Sequence, residues 1–88
     1  MSLEKNFQLA IEYHQKKNLK EAIKYYNKIL EIDPSHFGSL NNIGILYGSL
    51  GKHDQAISYL KKAVKINPNN TEVLRNLGDT LYILGESQ

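Results

Sequence analysis

The segment Ala22–His36 reads AIKYYNKILEIDPSH, and 34 residues later Ala56–Asn70 reads AISYLKKAVKINPNN. A fixed period of this length constrains an 88-residue chain more than any other feature it has. Units that repeat every 20–50 residues stack on one another, because none of them can bury its apolar face alone. Laying 3–36 over 37–70 gives eight identical pairs: Ile11/Ile45, Tyr13/Tyr47, Ala22/Ala56, Ile23/Ile57, Tyr25/Tyr59, Lys28/Lys62, Ile32/Ile66 and Pro34/Pro68. A third copy opens at residue 71, where Leu74, Asn76, Gly78, Leu84 and Gly85 repeat Leu40, Asn42, Gly44, Leu50 and Gly51. The expected organisation is one domain over 1–88. It has a first repeat at 3–36, a second at 37–70, and at 71–88 the first helix of a truncated third repeat or a capping helix.

Within a unit, Leu40, Ile43, Gly44, Tyr47 and Leu50 are spaced by threes and fours, as are Ala56, Ile57, Leu60, Ala63 and Val64. Each set is the buried face of an amphipathic helix. Between them Gly51 can adopt the left-handed conformation that ends a helix. Pro68 lacks an N–H and disfavours helical geometry at Asn67, so the second helix stops there. Asn70 or Thr71 can cap the next helix, with Glu72 in the first turn, where the helix dipole favours an acid. Each unit is therefore helix, turn, helix, turn. The pattern predicts helices near 3–16, 20–32, 38–50, 54–66 and 71–84 and no strand. Ala10, Gly44 and Gly78 hold one mid-face position small in all three copies, and Ala22 and Ala56 are small on the second helices. A mid-helix glycine costs about 1 kcal/mol relative to alanine. Close approach of two antiparallel helices supplies a reason to keep it.

The period together with LNNIGILYGSLGKHDQAISYLKKAVKINPNN closely resembles the tetratricopeptide repeat, through Leu40, Ile43, Gly44, Tyr47, Gly51, Ala56, Leu60, Ala63 and Pro68. The first unit departs from the pattern at Lys17, where Gly51 and Gly85 stand, and at Ile29, where Ala63 stands. The tryptophan typical of the family is replaced by Asn6, Leu40 and Leu74. The resemblance implies an all-α, right-handed superhelical solenoid of antiparallel helix pairs, five helices in all. Its first helices line a concave groove and its second helices form the convex back. Members of the family are usually adaptors or scaffolds that hold peptide segments or other proteins.

By the same resemblance the groove is lined by Phe7, Gln8 and Ile11 from the first unit. Asn41, Asn42 and Ile45 follow from the second, and Arg75, Asn76, Asp79 and Tyr82 from the third. Gln8, Asn42 and Asn76 stand one period apart on a single line. A carboxamide both donates and accepts, so such a ladder can grip an extended peptide backbone. The carboxylate clamp that some relatives use for acidic chaperone tails needs two lysines and an arginine. Here Phe7 and Ile11 stand where it needs a lysine and an asparagine, Glu72 and Asn76 stand where it needs a lysine and the arginine, and Asn42 alone fits. Cations are what pair with a carboxylate, so a chaperone C-terminal tail is not the expected ligand. The apolar row Leu77, Leu81 and Leu84 on the fifth helix predicts self-association, a homo-oligomer formed through the C-terminal helix.

Other classes of function find little support. Lys20, Lys24 and Lys28, and then Lys61, Lys62 and Lys65, fall on the second helices and read as a solvated convex face. With a net charge of +2 and Arg75 the lone cation proposed for the groove, no nucleic-acid partner is expected. A nucleic-acid-binding helical repeat is one alternative reading, and an N-terminal adaptor module of a larger enzyme is the other. His14, His36 and His53 lack metal-ligand spacing, and no glycine-rich phosphate loop follows a strand, so no catalytic residue, metal or cofactor is expected. With no cysteine, no apolar leader and no apolar run near the ~20 residues of a membrane span, the expected setting is cytoplasmic and away from membranes.

Overall fold

The computed structural model describes residues 2–87. Five helices follow one another: α1 (Leu3–Gln15), α2 (Leu19–Ile32), α3 (Phe37–Ser49), α4 (His53–Ile66) and α5 (Thr71–Ser87). Helix α1 packs on α2 and α3 packs on α4. The two pairs join where α2 meets α3, and α5 closes against α4 and α3. The body so formed measures 41 × 27 × 19 Å.

Local chemistry sets the helix ends. Ser2 Oγ accepts a hydrogen bond from Lys5 N at 3.2 Å and caps α1. Asn70 Oδ1 accepts from Val73 N at 3.0 Å and caps α5. His36 Nδ1 accepts from Ser39 N at 3.1 Å and does the same for α3, a role for which the sequence offered no signal. Asp33 and Asn67 leave helical geometry immediately before Pro34 and Pro68, as steric conflict with the following proline ring requires. At the other turns Gly51 has φ +77° and Lys17 has φ +64°. Lys17 thus adopts a conformation that disfavours residues with a Cβ. Gly85 shares the register of Gly51 but lies inside α5, which continues past the predicted end at 84.

Two apolar clusters form the core. One joins Ala10 of α1, Ala22 and Tyr26 of α2, and Ile43 and Leu46 of α3. The other joins Leu40, Leu60, Ala63 and Val73 from α3, α4 and α5. A Cβ added at Gly44 would lie 2.8 Å from Leu60 Cγ and Cδ2, so this glycine is what lets α3 and α4 come together. Each helix pair is also pinned by a stacked tyrosine pair, Tyr13 on Tyr25 and Tyr47 on Tyr59, both with ring centroids 5.6 Å apart. Lys28 lies over the Tyr25 ring at 4.9 Å and Lys62 over the Tyr59 ring at 5.6 Å. These cation–π contacts hold part of the lysine stripe against the convex back.

Candidate interaction groove

Helices α1, α3 and α5 stand side by side, and the two junctions between them differ in chemistry. At the first, the Phe7 ring meets Tyr26 edge-on at 6.4 Å and His36 at 4.9 Å. It also sits over Gly38, where an added Cβ would be 2.8 Å from Phe7 Cζ. The Tyr26 hydroxyl lies 3.3 Å from His14 Nδ1. Burial raises the pKa of Tyr26, against a smaller opposing effect of its hydrogen bond with the Asn42 side chain. Burial also lowers the pKa of His14, helped by the nearby Lys17 charge. The Tyr26 hydroxyl thus stands between the His14 ring of α1 and the Asn42 side chain of α3, in a polar line that crosses α1, α2 and α3.

The second junction is polar. Asn41 is only 4% exposed. Its Nδ2 donates to Glu72 Oε1 at 3.3 Å, and its Oδ1 accepts from Asn76 Nδ2 at 3.2 Å. A buried carboxamide needs such partners at both ends, because each unpaired buried group costs about 1–3 kcal/mol. Glu72 therefore has a tertiary partner in addition to its place in the first turn of α5. Beside this pair a cleft of about 240 Å³ opens between α3 and α5, lined among others by Ile45, Gly48, Asn76, Asp79 and Thr80.

Of the residues expected in the groove, Ile45, Asn76 and Asp79 thus share one cleft. Phe7 and Asn41 form the floor of the two junctions. Asn42 and Asn76 each already have one partner on the preceding unit, Tyr26 and Asn41 respectively. Ile11 is half-buried, Arg75 is exposed, and Tyr82 is 67% exposed. Gln8 is exposed on α1 with Lys5, Leu9 and Glu12 around a separate shallow cleft of about 390 Å³. The three leucines expected to form one exposed row divide: Leu77 packs against the α3–α4–α5 cluster, Leu84 is half-buried, and Leu81 is exposed. The sequence reading missed Tyr26. It shares the register of Leu60, and that register marks it as a core position whose hydroxyl must find a partner.

With the helix pairs and the groove side defined, the fold identifies a helical-repeat module. The chain belongs to the tetratricopeptide-repeat family: it matches that family over residues 5–36 and 39–70, and a second tetratricopeptide-repeat description matches 59–88. No curated protein sequence matches the chain. Among solved structures, MamA superposes with a TM-score of 0.88 at 26% identity over 93% of this chain and 45% of its own. The C-terminal TPR-containing domain of a Plasmodium falciparum FK506-binding protein gives a TM-score of 0.88 at 28% identity, over 97% of this chain and 56% of that one. An O-GlcNAc transferase from Thermobaculum terrenum shares the fold with a TM-score of 0.86 at 24% identity, over 90% of this chain and 15% of that one. The chain thus spans about half the length of the first two structures it resembles. It is an all-α tetratricopeptide solenoid and, as such, a protein–protein interaction module. Among the described residues no helix is long and apolar enough to cross a membrane.

Proposed function

We propose that the face formed by α1, α3 and α5 holds an extended peptide segment of a partner protein, anchored at the cleft between α3 and α5. The observation that supports this is the composition of the cleft. It places the apolar Ile45 beside the polar side chains of Asn76, Asp79 and Thr80 in one open depression. A backbone laid along it meets an apolar wall for one side chain and carboxamide groups for its amides. The hydrogen bond from Asn76 to Asn41 uses one of two N–H groups on Asn76 Nδ2, leaving the second N–H and the carbonyl oxygen for a peptide unit. Asn42, one period earlier, extends the same line, and Phe7 and Tyr82 offer ring faces at either end. The module works by holding its partner, and the cationic convex back takes no part.

The test uses a peptide selected from a displayed random library against the intact chain. Each backbone hydrogen bond contributes about 0.5–1.5 kcal/mol net, so Asn42→Ala/Asn76→Ala is expected to weaken that peptide about tenfold or more. Ile45→Gln, which breaks no internal hydrogen bond, is expected to weaken it as well. If neither variant changes affinity while charge reversal at Lys24, Lys28 and Lys62 abolishes it, the site is the convex back.

A further inference from the structure

Helix α5 carries Leu74, Gly78, Leu81 and Gly85 at spacings of four, three and four, which keeps them in one row along the helix. All four are exposed. Leu74 and Leu81 are each 45% exposed, and a Cβ added at Gly78 or Gly85 meets nothing within 4 Å. The corresponding row of α3 contains Leu40 and Gly44, and there Leu60 of α4 seats directly over the glycine. We infer that the row on α5 binds the same row of a second copy of this chain, with the two α5 helices antiparallel.

The row is complementary to its own two-fold image. With the axis beside Asp79 and Thr80, Leu81 comes opposite the second copy's Gly78 and Leu74 opposite the second copy's Gly85, and the symmetry repeats both contacts. A leucine thus meets a glycine at four places, the arrangement by which Leu60 and Gly44 bring α3 and α4 together. Charge agrees with shape. Arg75, exposed just outside the row, comes level with the second copy's Tyr82 and Glu86, both also exposed. Each copy therefore gains a cation–π contact and an ion pair. A parallel pairing would set leucine on leucine, glycine on glycine and Arg75 beside Arg75. The row lies on the side of α5 away from Asn76 and Asp79, so the inference does not depend on peptide binding in the groove.

Sedimentation equilibrium of the intact chain from low micromolar to millimolar concentration is expected to show a monomer–dimer equilibrium. Gly78→Leu fills the seat of the second copy's Leu81, and its Cβ meets nothing within 4 Å in its own chain. It is expected to raise the dimer dissociation constant about tenfold or more without lowering the melting temperature of the dilute protein. Because the chain has no cysteine, Gly78→Cys and Leu81→Cys chains can be mixed in a thiol exchange buffer, where the mixed disulfide is expected to outweigh both homodimeric ones. A monomer at every concentration overturns the inference. So does a dimer whose affinity Gly78→Leu leaves unchanged, and so does a preference for homodimeric disulfides, which marks parallel pairing.

Discussion

Gly44 and Gly78 occupy the same register of the repeat, yet an added methyl would strike Leu60 at 2.8 Å in one case and enter open space in the other. Alanine at either site gains about 1 kcal/mol of helix propensity over glycine. At Gly44 that gain is opposed by overpacking against a buried leucine, which typically costs about 1–3 kcal/mol. Thermal melts of dilute protein are therefore expected to show Gly78→Ala more stable than the parent and Gly44→Ala less stable. Shifts in the same direction would mean that α3 and α4 are not held at the observed separation. His14 gives a second prediction at this scale. Its pKa in the folded chain lies below the ordinary value of 6.5, through burial first and the Lys17 charge second. Between the lowered value and 6.5 the unfolded chain binds more protons, so stability falls as pH drops through that window. In protonated His14 the Nδ1 facing Tyr26 can only donate. Urea unfolding at about pH 7.5 and about pH 5 is expected to show this loss, and His14→Gln is expected to diminish it.

At the scale of the element, the ends of α2 and α4 are fixed alike, by a residue in non-helical geometry before a proline. These ends were legible because the cause is local steric exclusion. The first turn of the first unit, between α1 and α2, was less legible. Lys17 takes the left-handed conformation at the position where the second unit has Gly51. The pairing of the elements requires that reversal whatever side chain stands there. Helix α5 shows the converse. Gly85 has the sequence of a helix end but lies within the helix, since a glycine permits a reversal and does not compel one.

For the whole molecule, the core cluster that reaches α5 depends on how α4 sits on α3. Leu60 is fully buried, belongs to the cluster that joins α3, α4 and α5, and covers Gly44. Leu60→Ala is expected to cost about 2–5 kcal/mol, a large share of the roughly 5–15 kcal/mol available to a small domain. Calorimetry would show it as a melting temperature lower by many degrees. A change of a degree or two would mean that the α3–α4 interface is not the main source of stability. The groove is likewise a property of the assembly: Ile45 and Asp79 belong to different helices and share a cleft only because α5 packs against α3.

The sequence by itself determined the period, the alternation of helix and turn, the proline stops, a cap for α5 at Asn70 or Thr71 and the close approach of α3 and α4 at Gly44. All of these follow from interactions spanning a few residues or from a strict repeat. Tertiary structure alone decided what each repeated position became. Asn6, Leu40 and Leu74 share one register, yet Asn6 and Leu40 are buried and Leu74 is 45% exposed. Asn42 and Asn76 also share a register, and one finds Tyr26 while the other finds Asn41. Burial and hydrogen-bond partners depend on which neighbouring helix covers a face, and a repeating sequence presents the same face each time without specifying what stands against it.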